Sequence, residues 1–105
     1  MKVELLYFDG CPSWQQGLEH LRNALQREGM DAPIELVKVV DDADAEAKRF
    51  LGSPSFRVDG ADLWHEIRAQ YALGCRVYHT PHGLRGVPTV EMMQEKLRAL
   101  NVATT

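Results

Sequence analysis

The feature that most constrains this chain is a change of hydrophobic period, made twice in its first half. Val3 to Phe8 reads VELLYF, apolar on both parities except for Glu4. Such a run suits a strand covered on both faces. From Pro12 the period changes, and Trp14, Leu18, Leu21 and Leu25 recur at helical spacing with polar residues between them. An amphipathic helix to about Arg27 is predicted, stopped by Gly29. Ile34 to Val40 is a second strand-like run with little alternation. Asp41, Asp42 and Asp44 then supply N-cap candidates and first-turn negative charge for a second helix. That helix is expected to carry Ala43, Ala47, Phe50 and Leu51 inward and to end at Gly52. Strand, helix, strand, helix with tight connections implies a right-handed parallel unit.

The next segment obeys a different rule. In SFRVDGADLW, Asp59-Gly60 separates two short extendable runs. Asp-Gly is a strong hairpin signal, because a type I′ turn needs positive φ at both central residues. Strands three and four are therefore antiparallel neighbours. His65 to Gly74 reads equally as a helical stripe through Leu63, Ile67 and Tyr71 or as a loop with one helical turn. CRVYHT reads as a short edge strand and PHGLRG as a loop. Val90, Met93, Leu97 and Leu100 place a last helix from near Thr89, and Asn101 to Thr105 is expected to fray. The order is βαβα-ββ-α: an α/β sandwich with a mixed sheet and an insertion before the last helix.

Composition narrows the function classes. The 105 residues are 45% hydrophobic and 26% charged, which suits one domain (1–105) with its own core. A net charge of −3 offers no basic excess for nucleic acid or an anionic membrane surface. No apolar run approaches the roughly 20 residues of a membrane helix. The N-terminal run is too short for a secretory signal and contains Glu4. A cytoplasmic protein is expected, in which two cysteines are reactive or buried rather than a permanent staple.

Two places carry a resemblance. YFDGCPSW is similar to the thioredoxin strand that ends in a cysteine opening the first helix. LGSPSFRVDG is similar to the segment in which a cis-proline begins the hairpin. More closely, the chain resembles a group of small bacterial thioredoxin-like proteins that share LLYFDGCP, FLGSP, VDG, CRVY and GxPT, some of them labelled as relatives of alkylmercury lyase. The resemblance covers nearly the whole chain and implies a thioredoxin-like fold. One departure matters: Trp14 stands where the second cysteine of a C-x-x-C pair would be, and Trp14 cannot resolve a mixed disulfide. RGVPTV around Pro88 is a decoy for the cis-proline segment. Helical period follows Pro88, whereas strand and hairpin turn follow Pro54, so the cis bond is assigned to Ser53-Pro54.

Cys11 is the first candidate. If the helix opens at Pro12, Cys11 sits at or beside the N-cap, where unpaired N–H groups and the helix dipole favour the thiolate. Asp9 opposes this if it lies close, and the alternative is a small buried hydrophobe. The resemblance implies that Pro12, Trp14, Ser53 and Pro54 form the substrate-facing surface around it. Strand four returns the chain to the Cys11 end of the sheet, so the 65–88 insertion emerges there. A contact between Cys11 and Cys75 becomes geometrically open; the alternative is a Cys75 buried in an edge strand. Cys75, His79 and His82 at C-x3-H-x2-H spacing loosely suit zinc, but a solvated loop is the simpler reading, and no metal or cofactor is expected. His20 is placed on the polar face of the first helix.

The function expected is a thiol–disulfide oxidoreductase. Cys11 attacks as the thiolate, Cys75 or an external thiol resolves, and the partner is a protein or small-molecule thiol or disulfide. Two other readings stay open: a non-catalytic binding module that keeps the fold, and a thiol protein for soft metals or organomercurials.

Overall fold

In the computed structural model, which describes residues 1–103, the first apolar run forms β1, Val3–Tyr7. It is followed by α1 (Trp14–Arg27), β2 (Ile34–Lys38), α2 (Asp42–Lys48), β3 (Ser55–Val58), β4 (Ala61–Asp62), β5 (Tyr78–Thr80), β6 (Gly83–Arg85) and α3 (Val90–Ala103). The main sheet has four strands in the order β2-β1-β3-β4. β1 pairs parallel with β2 and antiparallel with β3, and β3 pairs antiparallel with β4. The described chain is thus a mixed α/β structure with a mixed four-stranded sheet and three helices.

β1 is central, which explains its double apolar parity. Val3 and Leu5 join a core with Leu21, Ala24 and Leu25 of α1, Phe56 of β3, and Met93 and Leu97 of α3. Leu6 points the other way, into a second cluster with Val39, Ala45 and Phe50. Helices α1 and α3 therefore cover one face and α2 the other. Burying each such Leu or Phe contributes about 1.5–3 kcal/mol.

The hairpin forms as the sequence predicts. Asp59 and Gly60 have φ of 52° and 86°, and Val58 pairs with Ala61 across them. The second helix is capped as expected, with the Asp41 side chain accepting from the Asp44 N–H at 2.7 Å. The third begins where Thr89 caps it, its Oγ1 accepting from the Met92 N–H at 3.1 Å.

Several expectations are corrected. β2 does not run to Val40 under cover on both faces; it stops at Lys38 as the sheet's edge, with Leu36 47% exposed. α2 ends at Lys48, ahead of Gly52, because Arg49 takes a left-handed conformation and the Phe50 N–H bonds back to the Ala45 carbonyl at 2.9 Å. Ala45 faces inward instead of Ala43 and Ala47, and Phe50 and Leu51 are buried beyond the helix. His65 to Gly74 forms neither helix nor strand. PHGLRG is not a plain loop: β6 lies in it and pairs with β5 as a separate two-stranded sheet around Pro81-His82. Asn101, expected to fray, continues α3 with its neighbours to Ala103; Thr104 and Thr105 lie outside the described residues. No helix among the described residues is long and apolar enough to cross a membrane.

Candidate thiol site

The site begins where β1 hands over to α1. The Cys11 N–H donates to the Phe8 carbonyl at 3.1 Å and closes a turn over Asp9-Gly10. That turn delays the helix beyond the position that Pro12 suggests. The N-cap is Ser13, with no side-chain cap, and the first helical bond runs from the Gly17 N–H to the Ser13 carbonyl at 3.0 Å. Cys11 therefore lies two residues ahead of the N-cap, not at it. The amides left unpaired by the helix belong to its first turn, where the dipole also acts.

The reading of Cys11 as the attacking thiolate needs an accessible sulfur, and here the structure differs again: Cys11 is 4% exposed, as its alternative reading has it. Two glycines permit close approaches nearby, to Pro54 and to Ser13. Gly17, in the first turn of α1, lets the helix close on the proline loop, since a Cβ there would lie 3.0 Å from Pro54 Cγ. Gly86 lies against Ser13, where a Cβ would come within 2.6 Å of its Oγ. A side chain at either position would force Pro54 or the Ser13 side chain to shift.

The Cys11 Sγ donates to the Ser53 carbonyl at 3.5 Å. The Ser53-Pro54 bond is cis. Ser53 lies between two segments far apart in sequence. Its N–H donates to the Gly74 carbonyl at 2.8 Å, and its carbonyl accepts the Arg76 N–H at 3.0 Å. These bonds form a parallel bridge between Ser53 and Cys75. Both lone pairs of the Ser53 carbonyl are thus used, one by Arg76 and one by Cys11. The resemblance implies that Ser53 offers its backbone to an extended partner; in this chain the insertion already takes both groups. The Ser53 Oγ is buried without a hydrogen-bond partner.

Cys75 is exposed, and both cysteines are free thiols. The Cys75 thiol is pushed up, first by the loss of water around it and then by the nearby Cys11 sulfur. The insertion does reach the Cys11 end of the sheet. Cys75 is not buried in an edge strand; it precedes β5 and touches the sheet only through Ser53.

Arg76, which the sequence analysis did not single out, anchors this segment. Its Nη1 donates to both Asp62 carboxylate oxygens, at 3.1 and 2.9 Å, and to the Ser55 Oγ at 3.2 Å. Its Nη2 donates to the Trp64 carbonyl, and the guanidinium stands 4.9 Å over the Tyr78 ring. Both side chains of the Arg76–Asp62 pair are 4% exposed. Burial works against the charge on Arg76, but Tyr78, Asp62 and Glu66 outweigh it and hold the guanidinium protonated. The Tyr78 hydroxyl donates to the Pro54 carbonyl at 2.6 Å, and burial pushes its ionisation far up. The one available signal was charge out of place: an arginine inside the apolar CRVY run, and an aspartate just past the hairpin turn.

The remaining candidates separate. Pro12 is exposed beside the buried thiol. Trp14 is half-buried and stacks on Tyr7, ring centroids 4.2 Å apart. Pro54 is buried. His20 is not free on a polar face: its Nδ1 lies 2.8 Å from the Pro88 carbonyl and ties α1 to the loop ahead of α3. Among the described residues no group of three or more His, Cys, Asp or Glu side chains is placed to hold a metal ion, and Cys75, His79 and His82 form no such group.

No protein-family model matches this chain, and neither the comparison with curated proteins nor that with solved structures returns a match.

Proposed function

We propose that the protein is a thioredoxin-like thiol–disulfide oxidoreductase whose redox couple is Cys11 and Cys75. The observation that carries the reading is the meeting of two free thiols at one backbone position, Ser53, from segments 64 residues apart in number, as Cys11 and Cys75 are. The sheet order, the hairpin after Pro54 and the helices on both faces support a thioredoxin-like arrangement. Trp14 removes the usual local partner for Cys11, and Cys75 supplies a non-local one.

In the cycle, two thiols give up two electrons and two protons to an external disulfide, which leaves as two thiols. The protein is left with a Cys11–Cys75 disulfide. An external pair of thiols reduces it again by exchange through a mixed disulfide. No cofactor is needed. We place the chain in the cytoplasm, where glutathione and thioredoxin keep resting thiols reduced.

The test is peptide mapping after mild oxidation with limiting oxidised glutathione. The reading expects an intramolecular Cys11–Cys75 bond and catalysed disulfide reduction that is lost in both Cys11→Ser and Cys75→Ser. Wild-type protein that yields only glutathione adducts would sink it. The burial of Cys11 favours a second reading, a binding module that keeps the fold without turnover. It predicts that neither substitution changes the reduction rate of a disulfide substrate.

A further inference from the structure

We propose that the external disulfide reacts at Cys75, that Cys11 is the resolving sulfur behind it, and that the substrate is a low-molecular-weight disulfide rather than an extended peptide. The assignment rests on the reading that this pair cycles between dithiol and disulfide, and it reverses the order expected from the sequence.

Access decides the order. Thiol–disulfide exchange needs the attacking sulfur to reach the disulfide from outside. Cys11 is 4% exposed, whereas Cys75 is exposed. The Cys11 Sγ is turned inward onto the Ser53 carbonyl, 3.5 Å away. Its sulfur neighbours Cys75, which lies toward solvent. A disulfide that arrives from solvent therefore meets Cys75 first.

The Ser53 edge decides the substrate class. An extended peptide laid along that edge would need the Ser53 N–H and carbonyl. Gly74 and Arg76 hold them at 2.8 and 3.0 Å. Releasing them means moving Arg76, whose guanidinium is buried against Asp62. A small disulfide needs only the exposed sulfur.

The reaction then has three steps. Cys75 loses its proton to solvent and its thiolate attacks one sulfur of R–S–S–R′. The Cys75–S–S–R bond forms, and R′S⁻ leaves and is protonated by water. Cys11 gives up its proton and its sulfur attacks the Cys75 sulfur; the Cys75–S–R bond breaks, RS⁻ leaves and takes up a proton from water, and the Cys11–Cys75 disulfide remains. Two equivalents of a low-molecular-weight thiol restore the dithiol and depart as their own disulfide. Because loss of water and the Cys11 sulfur hold the Cys75 proton on, the first step speeds up as pH rises.

The experiment is rapid acid quench of wild-type protein mixed with oxidised glutathione, followed by mass mapping, with Cys11→Ser, Cys11→Ala and Cys75→Ser in parallel. Reactivity follows exposure as well as thiolate character, and it is exposure that favours Cys75, so Cys75 in the Cys11 variants should gain glutathione about tenfold faster than Cys11 does in Cys75→Ser. In wild type the first adduct should map to Cys75 before the Cys11–Cys75 bond appears. Insulin, a protein disulfide, should react about tenfold more slowly than oxidised glutathione, since exchange depends on access. A first adduct at Cys11, with the intramolecular bond still forming later, overturns the order but leaves the redox couple. Equal rates for insulin overturn the substrate class. Absence of any Cys11–Cys75 bond removes the couple and the assignment together. The wild-type arm needs no variant to fold.

Discussion

Asp62→Asn keeps the shape of the side chain and removes its charge. Arg76 would then keep a positive charge in a site where both side chains are 4% exposed. Removing one partner of a buried ion pair costs about 3–5 kcal/mol, because the other charge is stranded. Arg76 keeps the Ser55 Oγ, the Trp64 carbonyl and the Tyr78 ring as partners, so the loss belongs at the lower end. About 3 kcal/mol corresponds to a fall in Tm of about 12 °C, at about 4 °C per kcal/mol for a domain of this size. Circular dichroism melts and urea titrations of the reduced protein measure it, with an unchanged m-value confirming that stability alone moved. A double variant, Asp62→Leu with Arg76→Met, should recover most of the loss, since replacing both members of a buried pair with apolar side chains is often neutral. A second readout separates the anchor from general stability. Well below its Tm, Asp62→Asn should form the Cys11–Cys75 bond more slowly, because Arg76 also carries the N–H that holds Cys75 to Ser53. A Tm change under about 3 °C, with the double variant no better, would refute the claim that this pair is desolvated and holds the insertion, since a loss that small is what an exposed pair gives.

Gly52→Ala should lower the urea midpoint at a cost of about 1–3 kcal/mol, since left-handed strain alone is of that order; the residue has φ of +113°, and a Cβ would lie 2.9 Å from Arg76 Cβ and 3.1 Å from its Cα. In Cys11→Ala the midpoint of Cys75 alkylation against pH should move down, because the sulfur that helps hold the proton is gone, while the effect of lost hydration stays; an upward or unchanged midpoint would contradict the contact. Asp44 is held below the usual carboxylate range by the Lys48 side chain and then by the Val40 N–H, and Glu28 by Arg98 and then Gln94. Their folded values lie below their unfolded ones, so the stability they add is present above the ordinary carboxylate value and is lost as pH falls through the folded value. Asp44→Asn and Glu28→Gln should each flatten the acid limb of stability against pH, and an unchanged limb in both would show these pairs to be idle.

The legible parts of the sequence are local. The Asp59-Gly60 turn declares itself because two adjacent residues must both take positive φ, a demand that few residue pairs meet. Pro54 and Pro88 are distinguished by the hydrophobic period of the residues after each. β1 is legible because a central strand must be apolar on both sides. The errors arise where a distant segment decides the outcome. Pro12 has the look of a first helical residue under the rule for helix starts, but the Phe8 carbonyl captures the Cys11 N–H and delays the helix to Trp14. Ile34 to Val40 has the composition of a covered strand, and nothing in it says that the strand lies at the sheet's edge. Arg76 stands out only as a charge inside an apolar run, and its partner cannot be identified locally because Asp62 lies across the insertion. The close approach of α1 to Pro54, and of the loop ahead of α3 to Ser13, depends on Gly17 and Gly86, whose importance is the space they leave rather than any pattern they make. Topology alone carries the insertion to the Cys11 end of the sheet, but it does not say that Ser53 is the point of contact.

Ser53 makes proximity and closure the same structural fact. The two hydrogen bonds that carry Gly74 and Arg76 to its backbone are the ones that set Cys75 beside Cys11. An extended peptide could reach Cys11 along that edge only by breaking both, and the segment it displaced would take Cys75 away with it. The protein would then be a single buried thiol facing a peptide, with no second sulfur to release the mixed disulfide. With the segment in place it has two sulfurs and no free edge. On the proposed function the two ways of working exclude each other, and the desolvated Arg76–Asp62 pair would set the balance between them. Weakening that pair should therefore trade one property for the other: slower formation of the internal disulfide and faster direct reaction of Cys11 with insulin. If Asp62→Asn slowed both, or neither, the closed edge and the paired sulfurs would be separate features, and the choice of a small disulfide as substrate would lose its structural ground.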